Sequence, residues 1–561
     1  MNIKTGLIAG AMLMAFCGAT SAKDADLVLR HGRISTENPA APEAEAVAIE
    51  GNHILAVGND AVIAALIGKN TQVIDLKGRR VTPGFNDAHV HFLPGGYSLI
   101  GVQLLDAKSR TEFRDRIAAY AKGLKKGQWV LNGNWYYQGW TRPQLPDRHL
   151  IDAVTPDNPV AVWHVNGHIV LANSLALKLA GIDRNTPDPA GGTIEHDATG
   201  EPTGILKDAA TDLVLSKVPR PSVEQQDRAV AAAMEVAKRN GITSVQDMAE
   251  TDADLGGSDR LHAFERAEKA GKLTVRVYLA RGLQHAGSLV DYGITTPFGN
   301  DLLRIGDLKS FADGAAGSMT AWMYEPFEGT TNSGMPSATL ANPEKMYANF
   351  HLADKAGLQL VTHAIGDKAI SRILDLYERV EKADGPADRR MRIEHVQHAA
   401  PADIPRFAKL GVIASMQPYH AIDDGRWVEK LIGHKRAKTS YAWRSLLDSG
   451  ATLAFGSDWP VAPLDAIKGI YAAATRATLD GKNPGGWIPE QRITVAEALH
   501  AYTVGSAYAE FQEKVKGSIE PGKLADLAVL SGDIFAMPPA EIRNVKVDMT
   551  IFDGKVIYQR K

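Results

Sequence analysis

The segment GFNDAHVHF, residues 84–92, places His89 and His91 one residue apart at the end of an extended, apolar-flanked run. Side chains alternate between the two faces of a strand, so both imidazoles can point the same way and share one ion. An isolated His-x-His pair also arises by chance, and a histidine on an apolar strand is often a hydrogen-bonded core residue. The pair alone therefore leaves both interpretations open.

Further ionisable residues stand where other apolar, strand-like segments end. They are Lys309 and Asp313 in LLRIGDLKSFADG, His363 in LQLVTHAIGD, His395 in MRIEHVQH, and Asp458 in TLAFGSDWP. In a barrel of parallel strands, the carboxyl ends of all strands converge on one mouth. Neutral imidazoles and carboxylates suit zinc or a similar divalent ion, and a catalytic site leaves one position open for water. The set therefore predicts a catalytic metal site, with zinc as the favoured ion.

The elements that must position these residues alternate between strand and helix patterns. After the strand that ends in His89 and His91, seven more buried-strand patterns follow, beginning with GITSVQDM at Gly241. Amphipathic helical patterns such as SVEQQDRAVAAAMEVAKRNG separate most of them, with capping residues early and glycine near the end. Eight such units close a (β/α)8, or TIM, barrel. The predicted fold class is α/β, with residues 81–510 forming this barrel.

The spacing also predicts an insertion and a second, smaller unit. About 150 residues separate Phe92 from Gly241, far more than one crossover needs, so an insertion at about residues 95–235 is expected to cap the barrel mouth. Short alternating strands with glycine-containing turns occur at 23–80 and again at 511–561. Because isolated hairpins are marginally stable, the two chain ends are expected to pair into one small β-sandwich.

Composition limits the classes of partner. The chain has 561 residues, of which 45% are hydrophobic and 23% charged, and its formal net charge is -3. We find no Lys/Arg cluster interleaved with aromatic residues, so a nucleic-acid partner is not expected. No segment beyond the N-terminus has the run of apolar residues that spans a membrane. A small-molecule substrate is the expected partner, and the oligomeric state stays open, with a homodimer as one option.

The N-terminal stretch MNIKTGLIAGAMLMAFCGATSAKDAD differs from the rest of the chain. One lysine, a short apolar run and small residues at Thr20 and Ala22 are typical of a secretory signal peptide over residues 1–22. The only cysteine, Cys17, would leave with that peptide. A mature enzyme without cysteine is compatible with export to a bacterial periplasm.

Several motifs together resemble one known family. GFNDAHVHF, KSFADGAAGSMTAW, VTHAIGDKA, RIEHVQH and FGSDWPV, with HVNGHIVLANSLAL and GEPTGIL in the insertion, are similar to the amidohydrolase superfamily. Within it they resemble the YtcJ-like branch that includes N-substituted formamide deformylase. The resemblance runs from about Ala25 to the C-terminus. It implies a metal-dependent hydrolase with a β-sandwich beside the barrel.

The resemblance also implies roles for individual residues. His89, His91 and Asp458 would hold one ion, and His363 and His395 a second, with Lys309 bridging both as a carbamate. An unmodified ammonium would repel the ions, so the alternative is a plain strand lysine and a single-ion site. Asp458 would take a proton from the metal-activated hydroxide and pass it to the leaving nitrogen as general acid.

Four further residues are predicted to contact substrate, each with a structural alternative. His168 and Trp135 belong to the insertion, where either residue could instead be part of its core. Asp313 precedes a glycine and could be a turn residue, and His420 after the seventh strand could cap a loop. Related sequences carry serine and arginine where this chain has Ala315 and Met319. That departure predicts a more apolar ligand.

The leading hypothesis is hydrolysis of an amide or formamide carbon-nitrogen bond, other than a peptide bond, in a small molecule. Ester or lactone cleavage would use the same site, because a hydroxide that attacks a carbonyl does not require nitrogen as the leaving group. A non-catalytic binding or regulatory protein built on the hydrolase scaffold is a hypothesis of another class. Its signature would be lost ligands, whereas all the ligand positions are retained here.

Overall fold

The computed structural model describes residues 24–137, 140–164, 169–189, 192–208, 210–248, 257–295 and 297–561. Its largest sheet contains eight parallel strands, which we number barrel strands 1 to 8 in chain order. They are Phe85–Val90, Ile242–Asp247, Arg276–Gly282, Leu303–Phe311, Gln359–Ala364, Arg392–His395, Ile413–Met416 and Leu453–Phe455. A parallel bridge between Val90 and Trp459 joins the first strand to the chain after the eighth. The predicted TIM barrel is confirmed.

The barrel strands form because both of their faces are buried. Every residue of Phe85–Val90 and of Ile242–Asp247 is buried, as expected for a parallel sheet covered on both sides. The α-helices of the barrel follow the strands. They are Phe92–Ile100, Val223–Arg239, Gly257–Lys269, Ala286–Asp291, Pro343–Lys355, Asp367–Asp384, Ile404–Lys409, Pro418–Asp424, Val428–Ala437, Trp443–Asp448, Ala466–Thr475, Val495–Ala501 and Val504–Ala509.

One of these helices shows how the sequence sets its own boundaries. Val223–Arg239 begins with a capping box, in which the side chains of Ser222 and Gln225 each bond the other residue's backbone N–H. It ends before Gly241, which adopts a positive φ of 70°. The helix thus begins and ends where the sequence pattern predicts.

The insertion between barrel strands 1 and 2 forms a sheet of its own. In spatial order its six strands are Gly192–His196, Pro202–Asp208, Ile169–Ala172, Val160–His164, Val130–Trp135 and Val102–Gln103. Helices Arg110–Lys122, His149–Asp152, Ser174–Ala180 and Thr211–Leu215 accompany it. Two apolar clusters separate from the barrel core fill the insertion, so it is stabilised largely by its own residues.

Two further sheets form the β-sandwich. One has the strand order His53–Gly58, Ala46–Glu50, Leu27–Arg30 and Gln72–Asp75. The other has the order Lys555–Gln559, Val547–Phe552, Leu527–Leu530, Arg80–Pro83, Arg33–Ser35 and Glu43–Ala44. Leu527–Leu530 pairs antiparallel with Arg80–Pro83, so residues from both chain ends share one sheet. The composite sandwich predicted from the sequence is confirmed.

The remaining elements are short. Phe298–Gly299 pairs antiparallel with barrel strand 4, and Asp60–Ala64 is a single helical turn beside the sandwich. Turns of 3-10 helix occur at Leu283–His285, Pro489–Gln491 and Pro539–Asn544. Across the described residues, no helix has both the length and the apolar character needed to cross a bilayer. The predicted signal peptide, residues 1–22, lies outside the described residues.

Candidate metal centre

The ends of barrel strands 1 and 8 bring three predicted ligands together. His89 Nε2 lies 3.5 Å from Asp458 Oδ1, and His91 Nε2 lies 3.3 Å from the same oxygen. One donor atom from each residue lies within 4.8 Å of the others. The Asp458 N–H donates to the His89 carbonyl at 2.7 Å, so the two strand ends are tied by their backbones as well. This group could hold one ion.

A second group shares Asp458. Donor atoms of His395, His420 and Asp458 also lie within 4.8 Å of one another. The His395 ring is 4.8 Å from the His89 ring and 4.5 Å from the His363 ring. His420 Nε2 lies 3.9 Å from Asp458 Oδ2. From the sequence, His420 is predicted only as a substrate contact, whereas the structure brings it to the same centre as the predicted ligands.

Buried atoms without hydrogen-bond partners converge at this centre. Within the described part of the chain, His89 Nε2, His420 Nε2 and Asp458 Oδ1 are buried and unpaired. Leaving such groups unpaired in the interior costs free energy, and native proteins generally avoid it. One or two divalent cations would satisfy imidazole nitrogens and carboxylate oxygens in this arrangement. The residues present therefore fit a metal site.

Neighbouring side chains orient the imidazoles. His89 Nδ1 lies 2.6 Å from Glu394 Oε2, and Glu394 Oε1 accepts a bond from Arg392 Nε at 2.9 Å. His395 Nδ1 lies 2.8 Å from Gln417 Oε1. An imidazole whose Nδ1–H donates to an oxygen presents the Nε2 lone pair, which is the arrangement typical of metal-ligating histidine. Neither Glu394 nor Gln417 was predicted from the sequence, although Glu394 stands directly before a predicted ligand.

Asp87 positions the same strand ends and was also missed. Asp87 Oδ1 accepts bonds from the backbone N–H groups of Ser457 at 2.8 Å and of His89 at 3.2 Å. The chain after barrel strand 8 passes so close here that a β-carbon on Gly456 would lie 2.5 Å from the His89 nitrogen. The segment HVH is thus held against FGSDW by a buried carboxylate and a glycine that permits close approach.

The buried environment keeps the imidazoles of His89, His363 and His395 neutral. Burial, together with the charge of Lys309, lowers the pKa of His89 to about 4 and that of His363 to about 3. Burial likewise lowers the pKa of His395 well below its ordinary value. Burial opposes ionisation of Glu394, but Arg392 and His89 hold its pKa at about 2. The site therefore offers neutral nitrogen ligands backed by a charged carboxylate at neutral pH.

Lys309 and His363 complete the set of predicted ligands. Both line the same cavity as the residues of the two groups, which are His89, His91, His395, His420 and Asp458. The Lys309 ammonium lies 4.5 Å from the centre of the Phe311 ring, and burial lowers the pKa of Lys309 to about 8. His363 Nε2 lies 3.2 Å from the Gly314 carbonyl and 3.6 Å from Asp313 Oδ1, and the His363 ring is 4.5 Å from the His395 ring.

Asp313 does not reach the cavity. Its carboxylate accepts three backbone bonds, from Trp322 N–H and Gly366 N–H at 2.8 Å each and from Ile365 N–H at 3.0 Å. It therefore ties the loop after barrel strand 4 to the loop after barrel strand 5. These three bonds indicate a structural role for the carboxylate, and the predicted substrate contact of Asp313 stays a prediction.

The insertion contributes none of the described residues that line the cavity. Trp135 is fully buried within the insertion, where its Nε1–H donates to the Val162 carbonyl at 2.9 Å and its ring contacts Phe113. The structure thus places Trp135 in a core and not beside the ligands. His168, the other substrate contact predicted there, lies outside the described residues.

The cavity at the centre has a volume of about 420 Å³, which suits a small molecule. Aromatic residues Phe311, Tyr419 and Trp427 line it together with small residues that include Ala315. Met319 is absent from this lining and packs against the barrel core, so it does not set the polarity of the pocket. A larger cavity, about 610 Å³, lies near the amino ends of barrel strands 4 to 6, away from these ligands.

A TIM barrel with histidines and an aspartate at the carboxyl ends of its strands defines a class of metal-dependent hydrolases. Residues 72–558 match the Amidohydrolase family, and the chain belongs to that family. The resemblance found in the motifs is confirmed.

Relatives cover nearly the whole chain. It is 39% identical to Protein LONG AFTER FAR-RED 3 of Arabidopsis thaliana, over 95% of this chain and 92% of that protein. It is 32% identical to the putative amidohydrolase YtcJ of Bacillus subtilis, over 92% and 96%. It is 30% identical to the N-substituted formamide deformylase of Arthrobacter pascens, over 95% and 98%.

The fold is also shared with a solved structure. A crystal structure of a metal-dependent hydrolase from Pyrococcus horikoshii superposes with a TM-score of 0.77 at 26% identity. The alignment covers 91% of this chain and 99% of the archaeal chain. The similarity therefore includes the insertion and the sandwich as well as the barrel.

Proposed function

We propose that this protein hydrolyses the carbon-nitrogen bond of an amide or formamide in a small molecule, using a divalent metal. The observation that carries the proposal is the convergence of unpaired, buried His89 Nε2, His420 Nε2 and Asp458 Oδ1 at a small-molecule cavity. Two relatives that span the chain have names that point to the same bond type, an amidohydrolase and a formamide deformylase.

His89, His91 and Asp458 would hold one ion, most suitably zinc, because two imidazoles and a carboxylate are a usual ligand set for catalytic zinc. His395 would hold a second ion with His363 or with His420. A bound divalent ion would polarise the substrate carbonyl and favour ionisation of water near neutral pH. The chain itself supplies imidazoles held in a fixed orientation and a cavity large enough for a small-molecule substrate.

Lys309 decides between one and two ions in this proposal. A buried amine whose pKa is lowered to about 8 is partly neutral near pH 8 and can attack carbon dioxide. The ammonium would first release one proton, and the amine nitrogen would then bond to the carbon of carbon dioxide as one carbon-oxygen π bond opens. Loss of a second proton from the nitrogen would leave a carbamate, which carries a negative charge and offers two oxygen ligands. Lysine left as an ammonium would repel a second cation. Elemental analysis with and without bicarbonate distinguishes the two cases.

Asp458 is the proposed general base and acid. Burial opposes its ionisation, but the neighbouring histidines, His91 and His89 foremost, hold the pKa of Asp458 well below its ordinary value. The carboxylate is therefore ionised and can take a proton from the attacking water. The amide carbon-nitrogen bond breaks when Asp458 passes that proton to the nitrogen, which leaves as an amine.

The test is a metal-dependent screen of N-formyl amines, N-acyl amino acids, lactams and esters. Turnover of an amide class that stops on chelation and returns with metal supports the proposal. Turnover confined to esters or lactones would show that the protein is an esterase or lactonase that uses the same metal site. No turnover by the metal-loaded protein would favour a binding or regulatory role.

Export to a bacterial periplasm is part of the same proposal, and it is supported by the signal-like composition of residues 1–22. N-terminal sequencing of the protein from a periplasmic fraction tests it. A mature chain that begins near Lys23 is expected, and a periplasmic protein that still carries Met1 would argue against cleavage.

A further inference from the structure

Helix Pro418–Asp424, which follows barrel strand 7, brings His420, Asp423 and Asp424 to the cavity. His420 and Asp424 are four positions apart, so they lie on the same face of the helix, about 6 Å apart along its axis. Both line the cavity. Because His420 lies at the metal centre, the Asp424 carboxylate stands about one helical turn away from the reacting bond.

Among the described residues, no lysine or arginine forms an ion pair with Asp424, and the group that most favours its ionisation is His420 of the metal centre. Its carboxylate accepts a bond from the hydroxyl of Tyr441, which is a neutral donor. The nearby guanidinium of Arg426 forms its ion pair with Asp423 instead. Among the described residues that line the cavity, Lys309 is the only lysine or arginine, and it stands with the histidines. The internal stretches outside the described residues contain neither lysine nor arginine in their sequence.

The position of Asp424 is unfavourable for a carboxylate. It is the last residue of its helix, where the partial negative charge of the carbonyl ends repels an anion. Burial raises the pKa of Asp424 to about 6, which reflects the cost of ionising it there. Buried charges in proteins are ordinarily paired. Asp424 is therefore a carboxylate at an unfavourable position on the pocket wall, which indicates that a ligand supplies the cation that pairs with it.

The surrounding wall favours a cation as that ligand. Tyr419 and Trp427, close to Asp424 in the sequence, line the same cavity. The electron-rich faces of tyrosine and tryptophan attract ammonium and guanidinium groups, and a neighbouring carboxylate strengthens the attraction.

We propose that Asp424 is a specificity-determining residue that binds a cationic group of the substrate, an ammonium or guanidinium, about one helical turn from the scissile amide. The substrate class is then a positively charged amide. This inference rests on the proposed amide hydrolysis and names the substrate feature that the site selects.

Two matched pairs of amides test the proposed preference for a cationic substrate in the metal-loaded protein. N-(aminobutyl)formamide is compared with N-pentylformamide, in which a methyl group replaces the ammonium, so the amine side is tested. The anilides of δ-aminovaleric and hexanoic acid test the acyl side in the same way. We expect kcat/KM to be about ten- to a hundredfold higher for the cationic member of at least one pair.

The Asp424→Asn variant should lose that preference. Asparagine keeps an oxygen that can accept the Tyr441 hydroxyl, so the fold is expected to survive, and thermal unfolding checks this. Asp375→Asn is the matched control, because it removes the same charge from an exposed carboxylate that pairs with Arg372 and Arg406 and is not among the residues that line the cavity. We expect the control to retain the wild-type ratio of the two kcat/KM values.

The failures are distinguishable. Hydrolysis of the neutral amides at equal or higher kcat/KM, or an unchanged preference in Asp424→Asn, would overturn the role of Asp424 and leave the proposed function standing. If no amide is hydrolysed, the proposed function fails, and calorimetric titration with diaminobutane decides the inference. Weaker binding to Asp424→Asn than to the wild type would sustain it, and equal binding would overturn it.

Discussion

Asp458 belongs to both candidate ligand groups, so a substitution at this residue tests the proposed chemistry most directly. Asp458→Asn is nearly isosteric but removes the charge and the proton-accepting capacity. We expect kcat to fall at least about 10²- to 10⁴-fold, the range in which general acid-base groups contribute, while the fold persists. Steady-state kinetics with circular dichroism and metal analysis measure both effects. Activity near the wild-type value would remove Asp458 from the mechanism.

Glu394 acts on the site through His89, so its effect should be seen first in metal affinity. Glu394→Gln removes the charge that faces His89 Nδ1 at 2.6 Å. We expect metal affinity to fall about 10- to 100-fold, as is typical when the partner of a ligating histidine is changed. Competition with a chromophoric chelator measures it. Glu378→Gln, on the exposed side of helix Asp367–Asp384, is the control and should bind metal like the wild type.

Unchanged affinity in Glu394→Gln would mean that His89 is oriented by its backbone alone or is not a ligand. A loss of stability without a change in affinity would point to the ion pair with Arg392 as the main role of Glu394.

At the scale of elements, Asp313 joins the loop after barrel strand 4 to the loop after barrel strand 5, the strand that contains His363. Asp313→Ala leaves three backbone N–H groups without their acceptor. Each unpaired buried donor costs about 1 to 3 kcal/mol, so the free energy of unfolding should fall by at least about 2 kcal/mol. Denaturant unfolding measures the change. Asp313→Asn, which keeps an acceptor oxygen, should be less destabilised.

If Asp313→Ala instead unfolds like the wild type but loses affinity for substrate, the original prediction of a substrate contact would be right. The position of His363, whose Nε2 lies 3.6 Å from Asp313 Oδ1, makes some loss of metal binding expected in either case. Stability is therefore the deciding measurement.

The elements themselves were largely predictable. A buried parallel strand is recognised from a short apolar run between helical patterns, and this signal is local. The strand that contains GITSVQDM and the strands that end near His363 and His395 lie where the sequence predicted them. The insertion was predictable only as an excess of residues, because its six-stranded sheet depends on pairings between segments that are distant in the chain.

At the scale of the whole molecule, a metal ion bound at the strand ends should raise the free energy of unfolding of the protein. A ligand that binds only the folded state stabilises it by about 2.7 kcal/mol at a hundred times its dissociation constant. We expect chelation to lower the Tm of the wild type and added zinc to restore it. His91→Ala should show a smaller zinc-dependent rise, because one ligand of the first group is lost. An equal rise in both proteins would place the bound zinc elsewhere.

The sandwich is joined to the barrel by a buried ion pair. Arg276 in barrel strand 3 contacts Asp526 at 2.6 Å and Asp553 at 3.1 Å, although 250 residues separate Arg276 from Asp526 in the chain. Breaking a buried pair leaves an uncompensated charge, which is strongly destabilising. Nothing in the local pattern around LTVRVYLA indicated this contact.

The sequence by itself determined the barrel, the two-ended sandwich and the residues that stand at the strand ends, because strand periodicity and the convergence of parallel strands follow from local pattern and general geometry. Only the tertiary structure decided which side chains meet. It moved His420 into the centre, assigned Asp313 to the loops and placed Trp135 in a core of the insertion. Such contacts depend on how distant segments pack to within a few ångströms, and no local pattern encodes those distances.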